Sequence, residues 1–214
     1  ILIMTDMEGV AGIQDLENWC IADGRYYEQG KRLLTREVNA AVIGFFEAGA
    51  EQVLVIDGHG AGGIDIDLLD ERAELGRRFS PPWPWGLDQG FDFVACVGQH
   101  AKACTPMAHL PHTQSMAYID LSINGVSIGE FGQLALCATE LGVRFIFGSG
   151  DEAFTREAEE LVPGIETVGV KRGTNPNPMA DLCRTDYARS GIGAVHVHPR
   201  EAARRIQKGA RRAL

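Results

Sequence analysis

Cysteine is scarce in this chain and shows no pairing pattern. Cys20, Cys96, Cys104, Cys137 and Cys183 are an odd number of thiols without a C-x-x-C step. That excludes a disulfide framework and a zinc ribbon, and predicts reduced thiols in a cytoplasmic protein. Long apolar runs are missing too. None is long enough to span a bilayer, and no basic segment followed by an apolar stretch marks secretion. Positive charge is in deficit, with 20 Lys and Arg against 29 Asp and Glu and a net charge of −9. Such a chain offers no general cationic field to nucleic acid or to an anionic membrane. The basic stretch at Arg200, Arg204, Arg205, Lys208, Arg211 and Arg212 reads as the solvated or docked face of a surface helix.

What is present is a core. At 214 residues and 45% hydrophobic content, the chain buries an ordinary domain without staples, and residues 1–214 are read as one α/β domain. Ile1–Met4 is a short β-branched run that predicts a buried strand. Residues 26–48 keep Leu33, Leu34, Val38, Ala41, Val42, Phe45 and Phe46 on one face, a helical pattern closed by Gly49. Val53–Ile56 is a second strand, parallel to the first through a right-handed crossover. Residues 61–78 allow either a turn plus strand or a helix, and Pro81-Pro82-Trp83-Pro84-Trp85 predicts no regular element. Further strands are expected at 93–97, 143–147 and 166–170, and helices at 133–141, 154–161 and from Pro199 onward, with an irregular segment from about 174. Asn124-Gly125 between short apolar runs predicts a hairpin. The expected fold is a layered α/β architecture with a mostly parallel central sheet plus the hairpin, its ligand site at the C-terminal strand ends.

Those strand ends carry the chemistry. Strand one runs into Asp6 and Glu8, which at i, i+2 spacing share one side of an extended backbone while Met7 takes the other. Adjacent carboxylates repel, and burying them costs several kcal/mol unless a cation lies between them. Strand two ends near His59 and strand three at His100, and Glu130 opens a helix after the hairpin. Taken singly, an acid after a strand is commonly a cap or turn former, His59 a turn residue and His100 a hydrogen-bonded core residue. Together, two imidazoles and three carboxylates suit Zn²⁺, with Mn²⁺ or Co²⁺ as alternatives. Five ligands exceed what a single catalytic zinc takes and fit two metals sharing a bridging carboxylate, with water between them.

The segments Thr5-Asp6-Met7-Glu8-Gly9, Val55-Ile56-Asp57-Gly58-His59, Val97-Gly98-Gln99-His100-Ala101, His112-Thr113 and Asn124-Gly125 through Gly129-Glu130 resemble the zinc-dependent D-aminopeptidases of the dipeptide-transport type. The resemblance runs to about Gly173 and takes in Gly150-Asp151-Glu152 and Val170-Lys171. It implies Asp6 as the carboxylate bridging two zinc ions, Glu8 and His100 completing one site, and His59 and Glu130 the other. It also implies His112 as the catalytic histidine, with His109 as a rival, and a ring-shaped homodecamer acting on short peptides or amides with an N-terminal D-residue such as D-Ala. The attacking group would be a hydroxide held between the metals.

Two other readings compete. Gly58-His59-Gly60-Ala61-Gly62-Gly63 is a literal G-x-G-x-x-G after a strand, but it lacks an acid ending a further strand about twenty residues on. A metallophosphoesterase would share the two-metal logic while calling for more His and Asn ligands. His196 and His198 flank Val197 and would point one way on a strand, although no carboxylate accompanies them.

Overall fold

The computed structural model describes residues 1–77, 83–177 and 190–214. Pro81, Pro82 and Cys183, along with part of the irregular segment expected after 174, lie outside the described residues. In chain order the elements are β1 (Leu2–Thr5), α1 (Leu16–Trp19), α2 (Tyr27–Glu47), β2 (Leu54–Ile56), β3 (Glu74–Gly76), β4 (Phe93–Gln99), β5 (Ser122–Ile123), β6 (Val126–Ser127), α3 (Glu130–Glu140), β7 (Arg144–Asp151), α4 (Glu152–Leu161), β8 (Glu166–Gly173), β9 (Ala194–His196) and α5 (Pro199–Ala213).

Seven strands form the central sheet in the order β3-β2-β1-β4-β7-β8-β9. All neighbours are parallel except β8 and β9. Strands buried on both faces need apolar residues of both parities, and β1 shows how they are used. Ile3 packs with Val55, Val97, Phe147 and Val170 beneath α2 and α5, while Leu2 and Met4 pack with Ile56, Cys96, Phe131 and Phe154 beneath α3 and α4. The result is a sheet sandwiched between two helical layers. Met7, just past the end of β1, packs on the Ile3 side.

The expected layered α/β fold with a hairpin is observed, with three differences. Of the two alternatives for residues 61–78, the described residues, which run to 77, show no helix, and their strand is the three-residue edge strand β3 at Glu74–Gly76. β7 runs on through Gly148-Ser149-Gly150-Asp151, and β8 through Gly173 before pairing with the unforeseen β9. The hairpin is only two residues per strand, turning on Asn124 and Gly125 at φ 52° and 81°.

β1 and β4 approach closely where they leave the sheet. Asp6 N–H donates to the Val97 carbonyl at 2.9 Å and Gly9 N–H to the Gly98 carbonyl at 2.7 Å. Gly98 has φ 81°, and a Cβ there would stand 2.0 Å from the Asp6 carbonyl oxygen. A Cβ on Gly9 would meet the Gln99 carbonyl oxygen at 2.1 Å. Only glycine fits at either position.

Candidate metal centre

Strand order decides what converges. β1 lies between β2 and β4, so Asp6 sits between the loop carrying His59 and the strand end carrying His100. His59 Nδ1 lies 3.1 Å from Asp6 Oδ1 and 3.2 Å from Glu8 Oε2. On the other side, His100 Nε2 lies 3.1 Å from Asp6 Oδ2 and 3.5 Å from Glu130 Oε1. His112 Nε2 is 3.9 Å from the same Glu130 oxygen, and the His112 ring stacks on His100 with centroids 3.8 Å apart. Candidate ligand atoms thus fall into two groups, Asp6/Glu8/His59 and His100/His112/Glu130, each with its atoms within 4.8 Å of one another. All five residues expected as ligands come together, and Asp6 faces both groups. Glu8 stands with His59 and His100 with Glu130, whereas the family resemblance implies Glu8 with His100 and His59 with Glu130. Asp6 and Glu8 face the same site although both lie beyond the end of β1 at Thr5, and Glu8, in the turn, meets His59.

The imidazoles are oriented from behind. His59 Nε2 faces the Cys20 carbonyl at 2.7 Å, His100 Nδ1 the Ala101 carbonyl at 2.9 Å, and His112 Nδ1 the Leu110 carbonyl at 2.9 Å. A carbonyl only accepts, so each of these nitrogens carries the hydrogen and the opposite nitrogen faces the centre. The buried His100 Nε2 and Glu8 Oε2 meet Asp6 and His59 as ion pairs but make no well-aligned hydrogen bond among the described residues. Buried imidazole and carboxylate atoms packed face to face in this way suit a cation between them.

Electrostatics agree. Burial works against ionising Asp6, yet His100 and His59 outweigh it and hold the carboxyl well below its usual range. Burial alone would lower His59, but Glu8 and Asp6 push it up to about 12. Glu130 and Asp6 likewise raise His100 well above an ordinary imidazole against its burial. Buried His112 is lowered, first by desolvation and then by His100. The site therefore stores negative charge that protons on His59 and His100 balance when no metal does.

Other side chains support the centre. Gln99 Nε2 donates to Asp6 Oδ2 at 3.2 Å. The Thr5 hydroxyl donates to the Ile56 carbonyl at 2.9 Å, tying β1 to β2. Asp57 accepts from Gly63 N–H at 2.6 Å and pairs with Arg77 at 2.7 Å, folding the loop that carries His59. Lys171, fully buried, donates from Nζ to the Glu8 carbonyl. Neither Gln99 nor Lys171 was assigned a role from sequence, although a lysine amid the apolar alternation of β8 is a detectable signal.

His109 does not join the centre. It is buried, its Nε2 donates to the Gln14 carbonyl at 3.2 Å, and its ring meets His196 edge to face. Burial and then Lys171 push it down to about 2. His196 and His198 are not a strand pair. His196 ends β9 and its Nδ1 accepts from Gly12 N–H at 3.1 Å, whereas His198 caps α5. The glycines from Gly58 to Gly63 lead into no helix before β3, so they form no dinucleotide-binding turn.

A cavity of about 850 Å³ opens above the centre. Asp6, Glu8, His59, His112 and Glu130 line its floor, and Leu16, Ile21, Trp83, Trp85 and Leu134 contribute apolar wall.

A family model described as D-aminopeptidase matches residues 1–214. A D-aminopeptidase of Bacillus subtilis (strain 168) is 31% identical over 175 residues, which cover 80% of this chain and 63% of that protein. The solved structure of the zinc-dependent D-aminopeptidase DppA from Bacillus subtilis, described as a self-compartmentalizing protease, superposes with a TM-score of 0.85 at 28% identity. That match covers 99% of this chain and 73% of the other.

Proposed function

Because this chain belongs to the D-aminopeptidase family, we propose that it is a zinc-dependent aminopeptidase that hydrolyses short peptides or amides bearing an N-terminal D-residue. The observation that carries this reading is the pair of buried ligand groups, with Asp6 facing His59 from one carboxylate oxygen and His100 from the other. Two Zn²⁺ per chain fit that donor set, with Mn²⁺ or Co²⁺ as substitutes. Asp6, Glu8 and His59 would hold one, and His100 and Glu130 together with Asp6 would hold the other.

When bound, such a pair polarises a carbonyl and acidifies a water to near neutrality. The chain does the rest. Apolar walls exclude water and receive side chains, which strengthens every charge interaction on the floor. His112 is kept neutral by burial, with Nδ1–H committed to Leu110 and Nε2 free to take a proton and pass it to the departing amine. Gln99 keeps Asp6 turned toward both groups.

The related self-compartmentalizing protease supports self-association of this chain, and the ring-shaped decamer is what the family resemblance implies for its form. Exposed Tyr118, Ile119, Ile123 and Val126 around the β5–β6 hairpin supply apolar surface for such contacts. Among the described residues Cys20, Cys96 and Cys137 form no disulfide, in keeping with a cytoplasmic location. No helix among the described residues is long and apolar enough to cross a membrane.

The test is hydrolysis of D-alanyl and L-alanyl amides by metal-stripped and zinc-reconstituted protein. Zinc-dependent cleavage of the D-amide is expected. Cleavage of a phosphate ester in its place would move the assignment to the metallophosphoesterase alternative, which the family match does not favour.

A further inference from the structure

Glu157 lies on α4, outside the cavity, and is 8% exposed. Its two carboxylate oxygens serve different parts of the chain. Oε2 accepts from Lys102 N–H at 2.9 Å and Oε1 from Gly129 N–H at 3.2 Å. Lys102 follows His100 by two residues, and Gly129 immediately precedes Glu130. One side chain therefore fastens the segment leaving His100 to the segment entering Glu130.

A second observation shows how tightly those segments close. A Cβ on Gly129 would stand 2.8 Å from Lys102 Cβ and 3.1 Å from Glu157 Oε1, so the glycine permits the approach. Lys102 Nζ also donates to the Ser127 carbonyl at 3.0 Å, holding the end of the hairpin against the same loop. Burial opposes ionisation of the Glu157 carboxyl, and the hydrogen bonds from the Lys102 and Gly129 N–H groups work against that cost. An apolar residue would pack there at less cost, yet it could not satisfy the two backbone donors.

We propose that Glu157 is a positioning residue for the His100–Glu130 half of the metal centre, fixing the separation between these two ligands without touching the metal. This rests on the two-zinc reading above. Groups behind metal ligands typically change affinity by about 10- to 100-fold when removed. Asp6, Glu8 and His59 sit on segments that Glu157 does not touch, so the effect should fall on one zinc only. Glu157→Gln is the incisive change, because it keeps the volume but turns an amide NH₂ toward one of the backbone N–H groups.

The experiment is zinc titration of the full chain against a chelator of known affinity, for wild type, Glu157→Gln, His59→Ala and the double variant. Wild type should bind two zinc ions. Glu157→Gln should retain one at wild-type affinity and weaken the other by about 10- to 100-fold. His59→Ala should keep the ion that Glu157→Gln loosens, and the double variant should bind neither tightly. If Glu157→Gln binds both ions as wild type does, or weakens both alike, the positioning role is overturned. If wild type itself binds no zinc, the metal reading fails first and this inference goes with it. Should Glu157→Gln not fold, Glu157→Asp retains the charge but withdraws it by one methylene. Wild-type binding of both ions by that variant would equally refute the role.

Discussion

Loading zinc into the metal-free protein should expel protons, and the number follows from the site. Without metal, His59 is pushed up to about 12 by Glu8 and Asp6 against its burial, and His100 is raised well above an ordinary imidazole by Glu130 and Asp6. Both are imidazolium at neutral pH. Asp6 and Glu130 are lowered by those same histidines and are already ionised. A metal ligand must be neutral imidazole, so each zinc displaces about one proton, from His59 in one group and His100 in the other. The sign is fixed: a group protonated in the free state and deprotonated in the complex makes binding tighter as pH rises. Each ion should gain about tenfold in apparent affinity per pH unit, or about 1.4 kcal/mol. Calorimetry in two buffers of different protonation enthalpy, at about pH 6 and about pH 8, reads both proton number and slope. Binding without proton release, or affinity unchanged across that interval, would show that the carboxylates do not hold these histidines charged, and the electrostatic argument would fail.

His112→Ala should leave zinc stoichiometry intact while lowering kcat for a D-alanyl amide by about 10²- to 10⁴-fold, because the proton shuttle is lost but no ligand is. Gly98→Ala places a Cβ 2.0 Å from the Asp6 carbonyl at φ 81°. It should cost more than the roughly 1–2 kcal/mol of left-handed strain alone, measured by denaturant unfolding, and should weaken zinc binding because Asp6 must move. His109, pushed down to about 2 in the folded chain, takes up a proton on unfolding at any pH between that value and about 6.5. Its contribution to stability is therefore complete above about pH 6.5 and is lost as pH falls toward 2. His109→Gln should flatten the acid limb of the stability curve by up to about 1.4 kcal/mol per pH unit.

Much of this was legible in the sequence because it depends on short-range periodicity. Asp6 and Glu8 face the site and Met7 the core, the sides that two-residue spacing predicts, although the strand itself ends at Thr5 and Met7 opens a turn. The helix at Tyr27–Glu47 shows itself in its apolar face and terminal glycine. Asn124-Gly125 turns the hairpin because both adopt positive φ. What was not legible depends on strand order and on backbone beyond the strand ends. Glu8 meets His59 and not His100 because of the turn held by Gly9 N–H on the Gly98 carbonyl, and no alternation rule reaches that far. His109 and His112 look alike in sequence, and only tertiary packing sends one toward His196 and the other onto His100. β3 and β9 are edge strands of three residues, too short for periodicity to declare. Lys171 and Glu157 act through backbone atoms of distant segments, so nothing in their immediate neighbours announces the role.

The most direct measurement is anomalous scattering at the zinc edge from crystals of the reconstituted protein. Two peaks are predicted, both about 2.0–2.2 Å from a carboxylate oxygen of Asp6, one adjoining Glu8 and His59 and the other adjoining His100 and Glu130. A single peak, or zinc bound away from Asp6, would contradict the bridged pair on which the proposed hydrolysis stands.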